Sequence, residues 1–424
     1  MIFPHYPPPF WRLPPALECE HFILHFALRN PTEGKGRASE GVRDRVLVLA
    51  YVDALEHLYS VMRSAPWNRD PPITDDSGKT HIYICNYHAL TSDESMAPTG
   101  EPTDIPSGVP YIVLPSRCDE PTIQAELHKA AAEAVHEAAH VFNYTQRQFH
   151  ELTSHAWKWF DEAFAVFMET HVISGNQDYF RYVMDWIDLP ETPLDAEYAK
   201  YQAGMFVRYI AKIGELGPAF VNQVWTQSEP DEKPFEALAR FLRSKGLILS
   251  SADPDVTDIF GSGYCLEPYF LWHHRSPSLA PDVFARYGER AVSQSWEMYP
   301  GRDETTTGML DHLACRYYRY YVRSGVTRLR VELQRQSVNP APLKGEMVII
   351  RKNLERSTTL PLRASDQAKL PAVPTLSVEL RDLDPDSIDH IVLVVSNCGL
   401  RAMTDDEDEP HDDQQAFTLR ATAS

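Results

Sequence analysis

Hydrophobic spacing divides the chain into stretches with different periods. Near the N-terminus, Glu20–Ala27 (EHFILHFA) alternates apolar and polar residues and predicts a strand. Val42–Ser64 instead sets Val46, Leu49, Val52, Leu55, Leu58 and Met62 at helical spacing, and Pro66 stops that helix. Apolar runs at His81–Cys85 and Val109–Pro115 predict two more strands, divided by a connection rich in Pro, Gly, Ser and Asp. Together these elements predict a small mixed sheet covered by one long helix.

The period then becomes helical throughout. A long helix is expected from about Pro121 to Tyr144, with Asp119 as N-cap, proline tolerated in the first turn and an alanine-rich body. A second helix, Trp159–Ile173, is closed by Gly175. Glu197–Ile213, Pro218–Gln227 and Lys233–Lys245 continue the pattern, which is expected to stay helical to about Tyr299. From about Leu310 the period falls to two. Cys315–Val322, Thr327–Gln334, Met347–Arg351, Thr375–Leu380, Ile388–Val395 and Phe417–Ala421 predict the strands of an antiparallel β-sandwich. The expected class is α+β, with an N-terminal α/β part over 1–118, a mainly helical part over 119–305 and a β-sandwich over 306–424.

Composition narrows the possible functions. A formal net charge of −20 argues against nucleic-acid binding and against an anionic membrane surface. Some of that charge is local, in the run Asp405, Asp406, Glu407, Asp408, Glu409, Asp412 and Asp413, which is expected to be a solvated segment. No window approaches the ~18 consecutive apolar residues of a membrane span. The opening MIFPHYPPPFWRLPP lacks the features of a secretory signal, so a cytoplasmic chain is expected, or a secreted one if the sequence has been trimmed. The six cysteines are scattered without a CxxC pair, which supports neither a cysteine metal site nor a disulfide framework.

Candidate chemistry centres on His136-Glu137-Ala138-Ala139-His140. Residues four apart on a helix share a face, so both imidazoles can reach one zinc ion at ~2.0–2.1 Å. Glu137, next round the helix, is placed to meet a metal-activated water as general base. Downstream, Trp159–Thr170 reads WFDEAFAVFMET. Glu162 would supply an anionic third ligand and leave a fourth position for water. Glu169, two turns further along the same face, can hold a ligand histidine by its other ring nitrogen. Asp161 is expected to face elsewhere on the helix. His150 and His155 form a rival pair, and His273–His274 are candidate carbonyl-polarising groups. Cys265 has no identifiable base partner, so a thiol mechanism has little support.

This constellation resembles the gluzincin metallopeptidases, which follow HExxH with a glutamate on a second helix, often as W-x-x-E-[GA]-x-A-x-x-x-E. Trp159, Glu162, Ala163, Ala165 and Glu169 stand at those places, and Glu162 lies 22 residues beyond His140. The chain looks closest to bacterial metallopeptidases that carry a β-sandwich after the catalytic part. The resemblance implies a zincin-like catalytic part, Zn²⁺ on His136, His140 and Glu162, and hydrolysis of a peptide or protein substrate. The Gly-x-Met-Glu-Asn motif that holds a free amino terminus in aminopeptidases is absent, which favours an endopeptidase. Tyr201-x-x-Gly204 looks like the run that supplies an oxyanion-stabilising phenol in aminopeptidase N relatives. Val109–Pro115 matches the position of the strand that binds extended substrate in such proteins, and its apolar run suits an ordinary core strand equally well. The competing class is a degenerate peptidase scaffold acting as a binding protein, against which an intact Glu137 argues.

Overall fold

The computed structural model describes residues 15–26, 42, 44–85, 109–116, 124–146, 155–173, 182, 189–196, 199–212, 216–217, 220–228, 232–247, 292–336, 343–352, 358–364, 375–399 and 415–424. Helices and several sheets make it an α+β protein. The chain divides into two compact units, Met1–Arg181 with Ile210–Glu232, and Tyr182–Tyr209 with Lys233–Ser424.

In the first unit, strands β1 (Pro15–Glu18), β2 (Phe22–His25), β3 (Thr80–Cys85) and β4 (Tyr111–Pro115) form one sheet in that order. β1 pairs with β2 antiparallel, while β2–β3 and β3–β4 are parallel, so the sheet is mixed as its pattern predicts. Helix α1 (Arg45–Arg63) is N-capped by Asp44, whose side chain accepts from the Val46 N–H. Helix α2 (Gln124–Gln146) lies against α1, β4 and helix α3 (His155–Val172). Its buried alanines (130, 132, 134, 138 and 139) keep the helix stiff and let its neighbours approach closely. α3 is largely buried, with Trp157, Trp159, Phe160 and every residue from Ala163 to Met168 enclosed. It starts four residues earlier than its pattern predicts. Helix α5 (Phe220–Gln227) also packs on α2.

The second unit holds part of helix α4 (Gly204–Lys212), helix α6 (Pro234–Ser244) and two five-stranded sheets. The strands are β5 (Val292–Met298), β6 (Asp303–Leu310), β7 (Ala314–Val322), β8 (Arg328–Arg335), β9 (Leu343–Arg351), β10 (Thr358–Pro361), β11 (Arg363–Ala364), β12 (Thr375–Arg381), β13 (Ile388–Asn397) and β14 (Gln415–Ala423). One sheet runs β10-β9-β13-β7-β5 and the other β11-β12-β8-β14-β6. Tyr318, Met347 and Leu393 from the first meet Val331, Leu380 and Phe417 from the second in one core, which is the sandwich arrangement.

Two expectations are corrected here. Val292–Met298 is a strand, not the end of a helical run, because Trp296 and Met298 turn toward the core while Ser295 and Glu297 face out. That strand pairs with β7 in parallel, so the sandwich is not wholly antiparallel. β6 was also unforeseen, since only its last residues are apolar. The helix start around Asp119–Pro121, the cap at Gly175 and residues 248–291 lie outside the described residues, as do the proline-rich opening and the acidic run at 405–413. No described helix is long and apolar enough to cross a membrane.

Gly308 of β6 sits opposite Phe417 of β14, and a Cβ there would stand 2.5 Å from the ring's Cζ. The ring is fully buried, edge-on to Tyr318, and has little room to retreat. Gly308→Ala is therefore expected to destabilise the fold by ~1–3 kcal/mol through overpacking. The check is the denaturant midpoint of the full chain; an unchanged midpoint would show that the core yields at this point.

Candidate metal centre

Two helices bring the site together. α2 presents His136 and His140 one turn apart, with ring centroids 4.9 Å from each other. α3 presents Asp161, Glu162 and Glu169 toward them. The Nε2 atoms of both imidazoles converge on a single oxygen, Glu162 Oε2, at 3.1 Å from His136 and 3.6 Å from His140. Each Nδ1 is engaged by a different carboxylate, His136 by Glu169 Oε1 at 2.7 Å and His140 by Asp161 Oδ2 at 2.7 Å. One ligand atom each from His136, His140 and Glu162 lie within 4.8 Å of one another, a group that could hold a metal ion. Glu137 stands between the two histidines in sequence and is half-buried.

The electrostatics follow from burial and pairing. Burial alone would push the His136 imidazole down, but its bonds to Glu162 and Glu169 outweigh that and raise it to about 10. His140 is likewise raised well above the ordinary histidine value, with burial opposed by Asp161 and then Glu162. Glu162 is buried too, yet both imidazoles hold its carboxyl well below the usual range. Glu137 moves the other way. Burial raises it, against the two nearby histidines.

Asp161 corrects the sequence reading. It does not face away; it takes the Nδ1 of His140, and its other oxygen accepts from Asn143 Nδ2 at 2.6 Å. Helical geometry allows both outcomes, because the two imidazoles are offset by ~40° around α2 and need acceptors offset around α3 as well. The available signal was the Asp-Glu pair set between the buried Trp159-Phe160 and the buried run Ala163–Met168. Asn143, one turn beyond His140, was also missed. Of the rival residues, His150, Cys265, His273 and His274 lie outside the described residues, as does the side chain of His155. Tyr201 belongs to the second unit, where its ring stacks on Tyr182 at 5.5 Å and its carbonyl accepts from the Gly204 N–H.

A second group, Glu20, His21 and Glu56, could also hold a cation. There Glu56 already accepts from the His21 backbone N–H (3.0 Å) and binds its Nδ1 (2.6 Å), while Glu20 is mostly exposed. These contacts form a clasp between the β1–β2 turn and α1.

A family model described as a family of unknown function, DUF6055, matches residues 17–250, more than half of the chain. The chain belongs to the DUF6055 family. The matched span contains His136, Glu137, His140, Glu162 and Tyr201, and ends before the two five-stranded sheets. No curated protein matches this DUF6055 chain. Solved structures similar to parts of it include the Yersinia pseudotuberculosis-derived mitogen, at 13% identity over 29% of this chain and 87% of that one, with a TM-score of 0.20. A pre-peptidase C-terminal domain of collagenase from Bacillus anthracis is 8% identical over 31% of this chain and 96% of that one, with a TM-score of 0.19. CorA, a surface-associated copper-binding protein of Methylomicrobium album BG8, is 10% identical over 32% and 98%, with a TM-score of 0.18. Likeness at this level carries no argument about fold or chemistry.

The raised His136 gives a stability signature in chelator-treated protein. A group raised on folding stabilises fully below its unfolded value, here 6.5, and loses that contribution as pH climbs through its folded value, here about 10. Glu162, being lowered, contributes unchanged across this window. Metal-free protein should therefore lose stability steadily from about pH 6.5 toward pH 10. Denaturation of wild type and His136→Asn at both ends of the window checks it, and equal slopes for the two would contradict the assignment.

Proposed function

We propose that this DUF6055 member is a zinc-dependent hydrolase of peptide bonds, acting as an endopeptidase. The observation that carries the reading is the convergence of both Nε2 atoms on Glu162, with each Nδ1 turned away onto its own carboxylate. Two neutral imidazole nitrogens and one carboxylate oxygen form a donor set suited to zinc, and three protein ligands leave a position open for chemistry. Carboxylates behind the ligand histidines are the usual means of fixing their tautomer. His136, His140 and Glu162 would hold the ion. When bound there, zinc supplies Lewis acidity that lowers the pKa of water and polarises a carbonyl.

The chain's own residues supply the rest. Glu137, whose carboxyl burial raises above the ordinary glutamate value, would take a proton from water and return it to the leaving amine. Among the described strands β4 stands last in its sheet, and its outer edge would offer backbone groups to an extended peptide. An edge that reads backbone rather than termini is in keeping with endopeptidase action. From its Tyr-x-x-Gly run alone, Tyr201 is proposed as the donor to a developing oxyanion.

Three variants test this reading. His136→Ala and His140→Ala should each abolish stoichiometric zinc in metal analysis, since two protein ligands remain. Glu137→Gln should keep zinc while turnover of a mixed peptide library falls by ~10²-fold or more. Full zinc occupancy in the histidine variants would remove the metal assignment; unaltered turnover in Glu137→Gln would remove the base. Separately, Tyr201→Phe should keep zinc while kcat drops by ~10²-fold with little change in KM. An unchanged kcat would exclude the phenol.

A further inference from the structure

Arg69 follows α1, and the fold encloses it completely. Its backbone is fastened at both ends, by its N–H to the Met62 carbonyl at 2.8 Å and by its own carbonyl accepting from Arg63 Nη1. The guanidinium lies 5.5 Å from the Phe164 ring centroid, against α3. Its Nη1 donates to Asn143 Oδ1 at 3.1 Å, while Nε and Nη2 meet no acceptor among the described residues. Burying a guanidinium lowers stability unless its N–H groups are met, and among the described residues only Nη1 finds an acceptor, so packing does not account for an arginine at this place.

Hydrogen-bond polarity does account for it. Arginine only donates. Asn143 must therefore turn its carbonyl oxygen to Arg69, which directs its amide N–H to Asp161 Oδ1. With Oδ1 so occupied, Asp161 accepts from His140 Nδ1 through Oδ2, and His140 Nε2 is left facing Glu162. If Asn143 flipped, its oxygen would oppose the Asp161 carboxylate and its NH₂ would oppose the guanidinium. A lysine could impose the same direction; a glutamine, which both donates and accepts, could not.

We propose that Arg69 is a positioning residue whose donor-only head, acting through Asn143 and Asp161, fixes which ring nitrogen His140 turns to the metal position. The inference rests on His140 being a metal ligand. Although burial pushes Arg69 down to about 9, against the pull of Asp161's charge, it stays protonated at neutral pH.

Long-range proton–nitrogen spectra of histidine-labelled full chain, with and without one equivalent of zinc, test the relay. Wild type and Arg69→Lys should each show one downfield, slowly exchanging Nδ1 proton on His140. Arg69→Gln should lose or split that signal and release zinc ~10–100-fold faster, the usual scale for outer partners of a ligand. His136, held independently by Glu169, should keep its Nδ1 signal and serve as the internal control. Should Arg69→Gln not fold, Asn143→Asp keeps the arginine paired but sets an acceptor against Asp161, and should give the same His140-specific loss. A folded variant whose His140 signal matches wild type, or in which both histidines change alike, overturns the proposal. Failure of wild type to take up zinc would instead overturn the metal reading, while the zinc-free spectra would still decide the relay.

Discussion

Everything proposed for this protein depends on two carboxylates that never touch the metal position. Glu169 and Asp161 hold the Nδ1 atoms of His136 and His140, and only because those nitrogens are taken do both Nε2 atoms turn toward Glu162. An imidazole can rotate and exchange tautomers freely in water. Here the rotation is stopped at each ring by a bond of 2.7 Å within a nearly closed interior. Removing either carboxylate would take away the hydrogen bond that selects one tautomer and one orientation of its ring.

The surrounding fold serves that constraint. α2 must come close enough to α3 for short carboxylate side chains to bridge them, and its alanine face permits this. α3 is locked by a belt of aromatic residues, including Trp157 against Trp225 and Trp159 against Phe160. α1 and the four-stranded sheet close the other sides of α2. In such an interior an unpaired carboxylate would be costly, so the three acids and two imidazoles stabilise one another as a set.

Much of this was legible in the sequence. Spacing alone placed His136 and His140 on one face and Glu162 with Glu169 two turns apart on another, because helical periodicity converts position into direction. α1, β3 and β4 were equally readable, being long or sharply bounded. The role of Asp161 was not, since it depends on the angle at which two helices cross, which no local pattern encodes. Arg69 and Asn143 were invisible for the same reason: they are 74 residues apart and meet only in the packed core. β5 and β6 were missed because serine, threonine and glutamate dominate them, and their strand state comes from pairing with β7 and β14.

X-ray absorption at the zinc edge of wild-type protein, purified without added chelator, reads the donor atoms around the bound metal. One zinc should be found, surrounded by two imidazole nitrogens and otherwise by oxygen donors, all at ~2.0–2.2 Å, with no sulfur. Sulfur scattering at ~2.3 Å or a third imidazole would contradict the His136–His140–Glu162 centre, as would protein that binds no zinc when it is supplied.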